Sequence, residues 1–188
     1  ESVRTARLER TDRAIRGTVI SPLGRALDAE CSLDAACWRE VLAPGDPVLE
    51  THIPTGGRMT PDAVCDSYEK ALDFFPRYFP DRPFRAIACL PWIPNPELET
   101  ILWKDNNCVL WQRESYLFPC ASPARAGLMH IFSRSEIDPA TAPRNTRLEA
   151  AIVDHLAAGG RFILGGIFFL PDDMADFGTQ PYRRRFPK

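Results

Sequence analysis

The 188 residues carry 23 Lys and Arg against 25 Asp and Glu, a formal charge of -2, and 45% of them are hydrophobic, enough for a domain with a real core. That charge balance lacks the basic face needed to neutralise phosphates, which excludes generic nucleic-acid binding, and no run of about 18 apolar residues exists to span a bilayer. Six cysteines, Cys31, Cys37, Cys65, Cys89, Cys108 and Cys120, include no C-x-x-C pair, so neither a metal site nor a redox dithiol is signalled. Structural thiols in a reduced, cytoplasmic protein are expected.

In chain order, residues 1–45 read as a helical segment. Arg4, Arg7, Arg10, Arg13 and Arg16 alternate with Glu9, Asp12 and a few apolar residues, as in a mixed-charge helix. Ser32 is placed to cap a second helix with Leu33, Cys37, Val41 and Leu42 on its apolar positions. Pro44-Gly45-Asp46-Pro47 breaks it and sets a boundary, giving an expected division into a helical segment 1–45, an α/β domain 46–175 and a basic tail 176–188. Val48 to Ile53 is the first strand candidate, with Glu50 and His52 on one side, and Pro54-Thr55-Gly56-Gly57 turns it. Thr60-Pro61-Asp62 combines a hydroxyl cap, a proline at the first helical position and an acid on the positive end of the dipole. The helix it opens buries Val64, Tyr68, Ala71, Leu72 and Phe75, and Pro76 should kink or end it.

Phe84 to Leu90 reads as a buried strand, and a proline-stiffened connection leads to a short helix around Glu97 to Trp103. After the turn at Asp105-Asn106-Asn107, Cys108 to Phe118 alternates like a long strand, with Glu114 and Tyr116 on one face. Pro119 to Ala126 then forms a hairpin loop into a strand over 127–133 that contains His130. Thr146 and Glu149 form a capping box for a helix whose apolar face is Leu148, Ala151, Ile152, His155 and Leu156, ended by Gly159-Gly160. Arg161 to Leu170 is the closing strand, and Arg183, Arg184, Arg185 and Lys188 read as a solvated tail.

Three segments taken together are familiar: Pro44 to Pro54 with Gly56-Gly57, Phe84 to Trp92, and Pro143-Arg144-Asn145-Thr146 with Ala151 to Gly160. They resemble the C-terminal domain of a bacterial acyltransferase group close to the GNAT-type N-acyltransferase superfamily, over about residues 45–170. The resemblance implies an α/β (α+β) GNAT-like mixed sheet flanked by helices, following an N-terminal domain of the same protein. The element order alone fits a ferredoxin-like sandwich equally well. By the resemblance the activity is acyl-CoA-dependent transfer, from acetyl-CoA or another acyl-CoA, to a small-molecule or peptide amine; charge, hydropathy and cysteine spacing add the expectation of no nucleic acid, membrane or metal partner. The alternative is a non-catalytic domain that keeps the fold as a substrate-binding or scaffolding half.

In that superfamily the donor's pyrophosphate lies at the start of the helix after the fourth strand, in a [QR]-x-x-G-x-[GA] loop, where unpaired N–H groups and the dipole favour an anion. By position the equivalent here is Ser133 to Thr146, which holds no glycine, so Arg134, Arg144, Asn145, Thr146 and Arg147 become the donor-binding candidates. The chemistry needs a base for the amine, a donor for the thioester carbonyl and an acid for the thiolate. Glu114, Tyr116 and His130 are the catalytic candidates, with His52 beside Glu50 a weaker base and His155 a packed histidine.

Overall fold

The computed structural model describes residues 6–54, 57, 59–90, 93, 95–120 and 125–186. The chain opens with strands, not helices: β1 (Leu8–Arg10), β2 (Ala14–Ile20) and β3 (Ala26–Asp34) form an antiparallel sheet in the order β1-β2-β3. The three-residue spacing of arginines that mimicked a helix is interrupted at Thr11, whose backbone N–H donates to the Ala14 carbonyl while its side chain accepts from the Ala14 N–H. That local turn lets Ile15, Thr18, Val19 and Ile20 extend, as β-branched residues prefer. Ser32, expected to cap a helix, pairs across the ladder with Arg16.

The second sheet has the order β4-β5-β7-β6, with β4 (Val48–Glu50) parallel to β5 (Ala86–Cys89), and β7 (Gly165–Phe169) antiparallel to both β5 and β6 (Tyr116–Pro119). Two sheets with a parallel pair replace the single ferredoxin-like sandwich. The crossover between the parallel strands is α1 (Pro61–Tyr78), capped by Thr60 as its sequence demands, and it runs two residues past Pro76. On the sheet face beneath α1, Ile87 and Phe169 pack with Tyr68, while Cys89, Ile167 and Leu117 pack with Ile93 and Trp111.

Two strand expectations are corrected. Residues 108–114 belong to α3 (Asn107–Glu114), which follows α2 (Leu98–Ile101), because the Asn106 side chain accepts from the Cys108 N–H and starts a helix that buries Val109, Trp111, Gln112 and Glu114. Apolar residues at 109 and 111 satisfy a two-residue period as well as a helical face, and the cap decides between them. The strand is limited to Tyr116–Pro119. Residues 127–132 lie in α4 (Arg125–Phe132), where Leu128 and Phe132, four apart, are buried and Met129 and His130 are exposed. The hairpin loop expected between them falls partly on 121–124, outside the described residues.

The capping box at Thr146 is present in full and opens α5 (Arg147–Ala157), whose Ile152 and Val153 join Leu98, Leu102, Val109, Leu128, Phe132, Phe162 and Leu164 in an apolar cluster. His155 is hydrogen-bonded at Nε2 with the Arg161 carbonyl, as a packed histidine should be. A 3-10 turn (Pro171–Asp176), whose Met174 packs with Tyr68, Ile87 and Phe169 on the α1 side, and α6 (Pro181–Arg185), which meets the other sheet face through Tyr182, finish the chain. There the Tyr116 ring stacks between Phe168 at 4.8 Å and Tyr182 at 4.5 Å. Gly166 stays bare because a Cβ would run into the Phe118 ring on the neighbouring strand.

Candidate functional site

Beyond the carboxyl end of the parallel pair the chain opens a cleft of 140 Å³ between residues 51–54, 57 and 59 and the first turns of α1. Strand β4 delivers Thr51 and His52 to it, and the Thr51 N–H still donates to the Ala88 carbonyl, so the strand direction is held to that point. Ile53, Pro54, Met59, Ala63 and Val64 make apolar walls. Such a position, at strand ends where a helix begins, is where open α/β sheets collect ligands.

The floor is aromatic and polar at once. The Trp111 indole N–H donates to the Tyr68 hydroxyl at 2.9 Å, and Thr51 lies beside the same phenol. Burial pushes the Tyr68 phenol up to about 12 against the opposing effect of Trp111 and Thr51, so it is a neutral donor and acceptor across the physiological range. The rings of Phe169 at 5.2 Å and Phe177 at 6.3 Å brace Tyr68 from behind. At the mouth, His52 Nε2 lies 3.5 Å from Glu50 Oε2, and both side chains are exposed. Cys89, in the apolar cluster that Val64 and Met59 pack against, is pushed up to about 11 by burial, with Glu50 adding to it, so its thiol stays protonated.

The catalytic candidates Glu114, Tyr116 and His130 do not share one strand face. Glu114 ends α3, is 8% exposed, and its Oε2 accepts the backbone N–H groups of Gly178 at 2.9 Å and Gln180 at 3.1 Å. Gly178 reaches that bond from φ +88, a conformation other residues adopt only under strain. Tyr116 donates its hydroxyl to Asp173 Oδ2 at 2.7 Å, and burial, followed by the Asp173 carboxylate, pushes its phenol far up. Glu114 and Tyr116 therefore meet the same C-terminal segment from two elements. His130 sits on the exposed flank of α4.

Three of the five donor-binding candidates have local partners. Arg144 pairs with Asp154 at 2.6 Å, Thr146 accepts from the Glu149 N–H, and the Arg147 guanidinium lies 4.9 Å above the Trp103 ring. Arg134 and Asn145 are exposed in the connecting loop. The basic tail is also corrected: Arg183 makes a two-pronged bond to Glu99, which Arg113 joins at 2.9 Å, and Arg185 bonds Asp173 and Asp176. Burial works to raise the Glu99 carboxyl, but the two guanidiniums outweigh it and hold the group below its ordinary value. Among the described residues, no cluster of three or more His, Cys, Asp or Glu is placed to hold a metal. No helix there is long and apolar enough to cross a membrane.

Sequence reasoning passed over Thr51, Met59, Tyr68 and Trp111 as site residues. Tyr68 and Trp111 carry the ordinary signature of core aromatics, and a strand leading through Gly56-Gly57 into a capped helix was the signal that marked the place.

Comparison with known proteins adds the following. The family profile described as "GNAT-like C-terminal domain" matches residues 8–168. A crystal structure of an acyltransferase in complex with decanoyl-CoA superposes with a TM-score of 0.58 at 26% identity, over 87% of this chain and 46% of that one. An acyltransferase in complex with CoA and 10C-teicoplanin gives 0.51 at 23% identity, again over 87% and 46%, which speaks to the fold alone. The chain thus spans less than half the length of these structures. No curated protein matches it.

Proposed function

The chain belongs to the GNAT-like C-terminal domain family, and we propose that it is the donor-binding half of an acyl-CoA-dependent acyltransferase acting on an amine. The observation that carries the proposal is the cleft beside the start of α1. Counting β1 to β3, which the sequence disguised as helix, β4 is the fourth strand and α1 the helix after it. That is the place where the superfamily seats its donor, in a segment that contains Gly56-Gly57, and not in the 133–146 loop. The likeness to an acyltransferase holding decanoyl-CoA supports the same reading.

In this scheme the pyrophosphate of the donor lies at the amino end of α1 and the thioester points into the cleft. The amine nitrogen attacks the thioester carbon at the mouth; a C–N bond forms, the C–S bond breaks, and CoA leaves as the thiolate. His52 takes the proton that the amine sheds, with the Glu50 carboxylate as the electrostatic partner of the imidazolium, and returns it to the thiolate. Arg144, Thr146 and Arg147 keep their structural partners and play no part.

Calorimetry with CoA and acetyl-CoA tests the proposal. Micromolar binding is expected, abolished by Ala63→Trp, which fills the cleft, and unchanged in an Arg144→Ala, Arg147→Ala double variant. In a transfer assay with an amine panel, His52→Ala should lower kcat by about 10²-fold or more while CoA affinity stays. Failure of CoA to bind at millimolar concentration would defeat the reading, and binding without transfer to any amine would leave a donor-binding lobe that is not itself catalytic.

A further inference from the structure

The cleft has a closed end, and we infer that Trp111 and Tyr68 set the length of the acyl group, limiting the donor to short chains of about six carbons or fewer; this rests on the cleft being the donor site proposed above. The walls, Ile53, Met59, Ala63 and Val64, are apolar and suit a hydrocarbon. The end of the cleft does not give way. Trp111 is 3% and Tyr68 4% exposed, they are bonded to one another, and Phe169 and Phe177 stand directly behind Tyr68. Deepening the cleft would mean parting a hydrogen-bonded aromatic pair and disturbing packed core, where displaced volume is costly.

The volume sets the scale. A cavity of about 150 Å³ takes a guest the size of benzene, with six carbons. The 140 Å³ here is of that size, and a decanoyl chain, such as the one bound to the similar acyltransferase structure, exceeds it by four carbons. A chain longer than the cleft must leave its far end in water or at the mouth, where it gains nothing and obstructs the approach of the amine to the thioester.

The test is a calorimetric series with CoA, acetyl-, butyryl-, hexanoyl-, octanoyl- and decanoyl-CoA. Each methylene that enters the cleft should tighten binding by about fourfold, and the gain should stop near six carbons. Ala63→Leu, on the part-exposed first turn of α1 where folding is not at risk, should move the break to about three carbons. Trp111→Phe, which keeps an aromatic floor but shortens it, should move the break outward by one or two carbons. Affinity that keeps rising through decanoyl-CoA, or that is flat from CoA onward, would overturn the length limit and leave donor binding standing. Binding of none of the series would overturn both.

Discussion

The cleft at the start of α1 and the C-terminal clasp differ in how their polar groups are used. In the clasp, Glu99, Glu114 and Asp173 are all taken up by arginines, a phenol or backbone N–H groups, and together they fasten residues 171–186 onto the sheet. The Tyr182 hydroxyl extends the fastening to the Ile20 carbonyl of the first sheet. At the cleft, charge is sparse: His52 and Glu50 stand at the mouth facing solvent, and the buried groups are neutral. Dense charge in a sequence is thus a poor guide to chemistry in this molecule. A carboxylate whose hydrogen bonds are all directed at its own chain fixes structure, whereas a site must leave room for a substrate.

Variants on the two sides should separate cleanly. The largest effect is expected from Glu114→Ala, which strands the N–H groups of Gly178 and Gln180 at a buried position. Stability should fall by about 3 kcal/mol in chemical denaturation, with CoA affinity unchanged in protein that remains folded. Glu99→Gln should cost about 2 kcal/mol by weakening the bonds to Arg113 and Arg183. The wild type should show the same weakness in acid. The Glu99 carboxyl is held below its ordinary 4.5 in the folded chain, so its contribution is complete above that value and is lost as pH falls through the lower folded value. A denaturation series below pH 4.5 should show this loss in wild type, and Glu99→Gln should lack that part of it. On the cleft side, Tyr68→Phe leaves the Trp111 N–H without its acceptor and should cost about 1.5 kcal/mol. Unlike the clasp variants it should also alter the affinity for short acyl-CoA.

The parts of the fold visible in the sequence are those decided locally. Thr60-Pro61-Asp62 and the Thr146–Glu149 box fix two helix starts by hydrogen bonds within four residues, and both are where the sequence puts them. The misread parts were those in which period two and period 3.6 both fit a short apolar run. Val109 and Trp111 alternate but lie on a helix because Asn106 caps it, and the arginines before residue 17 have helical spacing but form a hairpin because Thr11 turns the chain. The two assignments of the donor loop part at the same place: a strand count that begins at Val48 leads to the 133–146 loop, and one that includes β1 to β3 leads to the start of α1, as proposed above. His52 with Glu50 was legible as a base pair of lower rank, whereas the Tyr68–Trp111 floor joins residues 43 apart and no local pattern announces it.

Thr146 offers the sharpest distinction between the two assignments of the donor loop, although its effect is small. Its hydroxyl accepts from the Glu149 N–H at 3.1 Å, while the Glu149 carboxylate accepts from the Thr146 N–H at 2.9 Å, so both groups are used in starting α5. Thr146→Ala should therefore lower stability by about 1 kcal/mol through loss of the cap and leave CoA affinity as it was. Thr60→Ala removes the corresponding cap of α1, where the hydroxyl accepts from the Ala63 N–H at 3.4 Å, a longer bond with less to lose. Yet this change lies beside the cleft, so its small stability cost should come with weaker CoA binding. If the pattern is reversed, with CoA affinity falling in Thr146→Ala and holding in Thr60→Ala, then the donor belongs at the start of α5, and the cleft at α1 must serve another ligand.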